Sequence, residues 1–283
     1  MEKILRGIHC GGHQYVYSIG RSSPILPLES LLEEADRILH AAGDKGVTLR
    51  FIGGVAVGIR CPSASNPPLS RHYVDIDVIG HRKEVAKISQ LFKELGYRPR
   101  ERFNAFQVTR LIFNDLGNAR RVDVFLDVFE MCHKFNFRNR IDLETKTLPI
   151  ADLLSTKLQI VEINEKDMKD ITAMLLDHDL TAEDVQNGIN ASYIARLCAD
   201  DWGIYKTFTT NLANIPRFVK VVGLKEESRK RVMERVEGLR KAIDEAPKSM
   251  GWKMRAAVGE RKRWYELPEA DKEVVDSGLG AAK

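Results

Sequence analysis

The sequence predicts an α+β protein: a small mixed β-sheet with helices packed against it over residues 1–147, then a mainly helical region over 148–283. Helix-period and strand-period runs alternate as far as Phe129, whereas from Leu148 onward apolar residues recur at the three- and four-residue spacing of helices. Two short runs rich in β-branched residues, Val74 to Gly80 and Arg121 to Phe129, read as strands. A chain of 283 residues suits one large domain or two smaller ones. The change of pattern near residue 148 favours two.

The elements follow in order. Leu28 to Ala42 reads as a helix with Leu31, Leu32, Ala35 and Ile38 along one side, Val47 to Ile52 as a strand, and Gly53-Gly54 as the opening of a short helix that ends near Arg60. Cys61 to Ser70 is a loop rich in Ser and Pro. The Val74 to Gly80 strand comes next, then an amphipathic helix from Arg82 to Leu95 with Gly96 as its C-terminal stop. Ala105 to Phe113 and Arg121 to Phe129 read as strands joined across Asn114-Asp115-Leu116-Gly117-Asn118, a run of turn formers. The helical region contributes Ile150 to Val161, Asp167 to Asp177, Ala191 to Asp200, Tyr205 to Leu212, Lys225 to Glu245 and Trp252 to Tyr265.

No apolar run approaches the roughly 20 residues needed to cross a bilayer, and the N-terminus lacks the apolar segment of a signal peptide. A soluble, cytoplasmic protein is expected. The four cysteines, Cys10, Cys61, Cys132 and Cys198, are scattered through a chain that needs no staples, so reduced thiols are expected. His9, Cys10 and His13, and Cys132 with His133, lack the spacing of a zinc site and read as ordinary packing and surface. The net charge of +4 is uneven: Arg217 to Arg263 carries 15 Lys and Arg against 7 Asp and Glu. That excess suits an anionic partner, and it equally suits the solvated face of an amphipathic helix built on Val232, Val236, Leu239 and Ile243.

The unusual feature is SRHYVDIDVIG, Ser70 to Gly80. Residues two apart on a strand share a face, so Asp75 and Asp77 stand side by side while Val74, Ile76 and Val78 turn to the core. Asp is disfavoured in strands, and like charges on one face repel, so the pair needs a compensating partner. A divalent cation such as Mg²⁺ or Mn²⁺ is one, because it takes hard oxygen ligands and leaves other positions to substrate phosphates. In RRVDVFLDVF the alternation of Val122, Val124, Leu126 and Val128 places Asp123 and Asp127 together on the opposite face. Either completes a triad if the strands are neighbours, and Asp123 is favoured. Three carboxylates on adjacent strands can hold two metals, one activating the attacking oxygen and one steadying the phosphates. Gly53 and Gly54, between a strand and a helix, let backbone N–H groups approach an anion at a helix N-terminus.

With these motifs the chain resembles the nucleotidyltransferase fold of DNA polymerase β type, in its AbiEii and toxin-like branch. The matching residues are Gly53-Gly54, Arg71 four residues before Asp75-Ile76-Asp77, Asp123 on a later strand, then LPIADLLSTKLQI and KDMKDI, over roughly Val47 to Leu176. The resemblance implies that Gly53 and Gly54 border a nucleoside triphosphate, that Asp75 and Asp77 bind Mg²⁺, and that Asp123 helps activate the acceptor. It points to Lys157 as a phosphate contact, with Asp167 and Asp170 orienting Lys157 or the acceptor; otherwise Lys157 is a solvated helix lysine and the acids are dipole-stabilising helix-start residues. The chain departs from the pattern in two places. Val55 follows the glycines where Ser or Thr is common, and Tyr73 stands where Thr would.

The expected activity is transfer of a nucleoside monophosphate from an NTP to a hydroxyl of RNA, a protein or a small molecule, with release of pyrophosphate. The alternatives are a nucleotide-binding module without turnover and a metal-dependent phosphodiesterase. An antitoxin partner is a further expectation of the resemblance. Lys253 to Glu269 reads either as a basic helix whose Trp264 and Tyr265 stack on bases, or as a docking helix that buries its aromatics.

Overall fold

The computed structural model describes residues 26–266. Cys10 and its histidine neighbours, and residues 267–269 of the basic C-terminal segment, lie outside the described residues. The first helix, α1 (Leu31–Asp44), starts at Ser30, whose side chain accepts the Glu33 backbone N–H, and it buries Ala35, Ile38 and Ala42. Strand β1 (Leu49–Ile52) runs straight into α2 (Gly53–Arg60). After a loop come β2 (Ile76–Gly80), α3 (Val85–Glu94), β3 (Arg98–Pro99), α4 (Glu101–Phe106), β4 (Arg110–Asp115), β5 (Arg120–Leu126), β6 (Val128–Glu130) and β7 (Lys134–Asn136). Gly96, at φ +89°, makes the left-handed turn that ends α3.

The sheet order is β1-β2-β5-β4-β3, with β6 paired to β5 and β7. β2 and β5 are parallel, and the other pairings in this sheet are antiparallel. That mixed sheet with its helices, followed by a helical C-terminal region, is the expected α+β class. The remaining helices are α5 (Ile150–Leu158), α6 (Glu165–Asp177), α7 (Ala191–Asp200), α8 (Trp202–Val221), α9 (Glu226–Glu245) and α10 (Met250–Val258). A two-stranded parallel ribbon, β8 (Asp179–Thr181) with β9 (Gly188–Asn190), joins α6 to α7. One continuous cluster of buried side chains runs from Ala35 in α1 to Ile243 in α9. No helix of the described residues is long and apolar enough to cross a membrane.

Four expectations are corrected. Val74 is exposed and Asp75 precedes β2, so the acidic strand is shorter than its composition suggests. The run Ala105 to Phe113 is not one strand, because the Asn104 side chain exchanges both hydrogen bonds with the Ile112 backbone and pins the short helix α4 against β4. The strand from Arg121 does not reach Phe129, because Asp127 adopts φ +61° and bends the chain between β5 and β6. The helix expected to end at Leu212 continues through Pro216, since Ile215 and Val219 extend its buried stripe. The C-terminal aromatics dock inward. Trp252 Nε1 donates to the Cys198 carbonyl, and Trp264 Nε1 to Thr207 Oγ1 while its ring packs edge-on against Trp202. Cys61 and Cys198 are buried free thiols, and Cys132 is buried as well.

Candidate active site

The register of two strands brings the acids together. In the parallel β2/β5 ladder Asp77 lies directly beside Asp123, so their side chains share a face of the sheet. Both line a cavity of about 600 Å³ with Gly53, Asp75, Lys157 and Asp167. Asp127, the reserve candidate, is outside it: past the bend it accepts from Arg138 Nε at 3.0 Å and faces His81 Nδ1 at 3.4 Å. Gln107, Thr109, Arg110, Arg121 and Phe125 complete the floor and rim beyond Asp123.

The glycines are explained by what approaches them. Gly53 has φ +64°, and a Cβ on it would sit 2.2 Å from Asp77 Oδ2, so a glycine at the start of α2 is what lets the acidic strand close on the helix N-terminus. A Cβ on Gly54 would lie 2.5 Å from Arg71 Nη2 and 2.6 Å from Tyr73 Cδ1. Arg71 and Gly54 therefore stand behind the cavity lining rather than in it. Tyr73 covers α2 and stacks under Arg71, 4.3 Å from guanidinium to ring.

The cations are held by α6. Arg71 grips Asp170 with a two-point fork, Nε to Oδ1 at 2.8 Å and Nη2 to Oδ2 at 2.7 Å. Lys157 Nζ lies 2.8 Å from Asp167 and 2.9 Å from Asp170. Asp170, itself buried, joins Arg71 and Lys157, so two distant segments are set by one carboxylate. Burial opposes the charge on Lys157, but Asp170 and Asp167 outweigh it and hold the ammonium above its usual range.

Asp77 shows the opposite effect. Burial, then the nearby Asp123, push its carboxyl up to about 7, with Lys157 and Arg121 opposing and Asp75 adding to the repulsion. Asp123 is clamped: Arg110 reaches Oδ1 at 2.8 Å and Arg121 Nε reaches Oδ2 at 2.8 Å. These two arginines were not foreseen from the sequence. Arg121 is a sequence neighbour of Asp123, but Arg110 comes from β4, and only the antiparallel register, Ile112 opposite Asp123 and Arg110 opposite Phe125, puts it on the same face.

Among the described residues no three His, Cys, Asp or Glu side chains converge as a ready-made metal cage. The donor chemistry nevertheless fits a hard divalent cation at Asp75 and Asp77. They are neighbouring hard-oxygen donors, and burial followed by Asp123 makes the ionised form of Asp77 costly without a further cation.

No protein-family model matches the chain, and no curated protein matches it. Among solved structures it is similar to the lincosamide antibiotic adenylyltransferase LnuA with lincomycin bound, at 16% identity and a TM-score of 0.37, over 50% of this chain and 94% of that one. It is similar to the antibiotic-resistance factor ANT(2'')-Ia at 16% identity and a TM-score of 0.30, over 81% of this chain and 95% of that one. An antigenic nucleotidyltransferase-like protein from Paracoccidioides brasiliensis shares 15% identity at a TM-score of 0.41, over 80% of this chain and 97% of that one.

Proposed function

We propose that this chain is a nucleotidyltransferase that moves a nucleoside monophosphate from an NTP to an acceptor hydroxyl. The observation that carries the reading is the parallel Asp77/Asp123 register facing Gly53 at the N-terminus of α2, inside one cavity with Lys157. The helix N-terminus and Lys157 suit the triphosphate, and Asp75 and Asp77 suit a divalent cation. Magnesium or manganese, when bound there, would neutralise the triphosphate and polarise its α-phosphorus. Asp123, once freed of an arginine, accepts the proton of the acceptor hydroxyl. The hydroxyl oxygen forms the new bond to the α-phosphorus as the bond to pyrophosphate breaks, and pyrophosphate leaves with the electron pair. Asp170 acts at a distance by positioning Lys157 and Arg71.

A second reading, a nucleotide-binding module without turnover, is favoured by one observation: both oxygens of Asp123 are taken by arginines. One experiment separates the two. The protein is incubated with α-labelled NTPs, magnesium or manganese, total RNA, protein and a small-molecule extract, and both pyrophosphate release and the destination of label are followed. Transfer supports the enzyme, and metal-dependent NTP binding with no pyrophosphate supports the module. We place the transfer core at 1–147 and a helical domain at 148–283, the second lending Lys157, Asp167 and Asp170 to the site.

A further inference from the structure

The segment that carries Arg71 and Asp75 is neither helix nor strand. His72 and Val74 are exposed, while Arg71, Tyr73 and Asp75 alternate with them and are half-buried. Tyr73 lies along α2. The Cβ that Gly54 lacks would meet Tyr73 Cδ1 at 2.6 Å, and the Cβ that Gly58 lacks would meet Cε2 at 3.2 Å and the hydroxyl oxygen at 3.7 Å. Residues four apart share a helix face, so the two glycines form one shallow bed that the ring fills. The hydroxyl itself is buried and has no hydrogen-bond partner among the described residues. Burial, followed by Asp170, pushes its ionisation above the usual tyrosine range against the opposing Arg71, so the side chain is neutral and contributes a flat surface rather than a charge.

We infer that Tyr73 is a positioning residue for the phosphate end of the cavity: its ring holds the Arg71 guanidinium in the plane from which it forks Asp170, and Asp170 in turn holds Lys157. This inference rests on the nucleotidyltransferase reading. The contacts are continuous, from the ring to Arg71 at 4.3 Å, from Arg71 to Asp170 at 2.8 and 2.7 Å, and from Asp170 to Lys157 at 2.9 Å. Asp170 Oδ2 is shared by Arg71 Nη2 and Lys157 Nζ, so a guanidinium that rotates off the ring shifts the oxygen that Lys157 uses. Arg71 and Tyr73 do not line the cavity, whereas Lys157 does, so Tyr73 acts on a bound phosphate only through this relay.

The test measures the affinities of magnesium ATP and of AMP by calorimetry for the full chain and its variants, with melting temperatures as the fold control. The ratio of the two affinities reports the hold on the outer phosphates, whereas a general loss of packing lowers both together. Lys157→Ala is the reference and should lose most of the preference for ATP. Tyr73→Leu keeps an apolar side chain on the glycine bed but offers the guanidinium no face, and it should lower the preference at least about fivefold. Tyr73→Phe should keep the preference within about twofold and melt no lower than wild type, because the ring stays and only an unpaired hydroxyl is removed. Gly58→Ala leaves every charged group in place and presses a methyl on the ring, so it should lower the preference about threefold, and it becomes the deciding variant if Tyr73→Leu does not fold. An unchanged ratio in the deciding variant would overturn the inference and leave Tyr73 a packing residue. A loss in Tyr73→Phe as large as in Tyr73→Leu would also overturn it and assign the role to the hydroxyl. Wild-type protein without a preference for ATP, or a preference that survives Lys157→Ala, would instead remove the phosphate role of Lys157 and the nucleotidyltransferase reading, and the inference with them.

Discussion

The buried Asp77 carboxyl lies between burial and like charge, and both act against its ionised form. Its carboxyl is pushed up to about 7 from its ordinary 3.8 by burial and by Asp123, so the folded chain holds this proton more tightly than the unfolded chain does. For an acid raised in this way the cost is absent at low pH, grows as pH rises from the unfolded value to about 7, and is complete above it. The full shift corresponds to a ceiling on the order of 4 kcal/mol. In a chelator at pH 8, Asp77→Asn should therefore melt about 2–6 °C above wild type, with the difference vanishing near pH 4. An equal or lower melting temperature at pH 8 would mean that the existing cations already compensate the acid. The same variant should lose nucleotidyl transfer. Gly53→Ala is the steric counterpart. Its Cβ meets Asp77 Oδ2 at a φ of +64°, so it should lose about 1–3 kcal/mol by chemical denaturation and most of its transfer activity.

At the scale of elements, a single bend separates two carboxylates that look alike in RRVDVFLDVF. Asp123 lies within β5 and faces the cavity, whereas Asp127 follows the strand, turns at φ +61° and joins His81 and Arg138. Asp123→Asn should abolish or strongly reduce turnover while leaving NTP affinity within about threefold, since it acts on the acceptor. Asp127→Asn should leave turnover near wild type and cost stability instead, and the opposite ranking by steady-state kinetics would move the third acid to Asp127. Helix α6 offers a second contrast. Asp170 is the buried partner of both Arg71 and Lys157, so Asp170→Asn strands Arg71, leaves Lys157 to Asp167 alone and should destabilise by about 3–5 kcal/mol, measured by denaturant titration.

At the scale of the whole molecule, the sheet and the helices share one core. Val124 in β5, Leu154 in α5, Phe208 in α8 and Leu239 in α9 belong to the same buried cluster. A division of labour between 1–147 and 148–283 therefore does not imply separate folding. All three tryptophans lie in the helical region, so fluorescence reports that region while far-ultraviolet dichroism reports the entire chain. The two probes should give coincident urea transitions, and a resolved second transition would establish two independent folding units.

The local rules of the chain settle much of this protein. Strand and helix periods place β1, α2, α6, α7 and α9 within a few residues, because each carries its own stripe of buried side chains and, at Asn164 and Asn190, its own cap. The pairing of acids in VDIDVIG, the glycines before α2 and the acids of KDMKDI are equally legible, since each is a property of spacing along a few residues. Other features depend on which strand meets which. That Asp123 faces Asp77 while Asp127 does not, that Arg110 and Arg121 hold Asp123, and that Asp170 joins Lys157 to an Arg71 that lies 99 residues before it follow from register and packing. The far wall of the cavity is assembled in the same way. Phe103, Arg110 and Phe125 come from three elements that no local pattern connects, and they meet because the β4/β5 ladder and the Asn104 clasp on Ile112 leave them nowhere else to go.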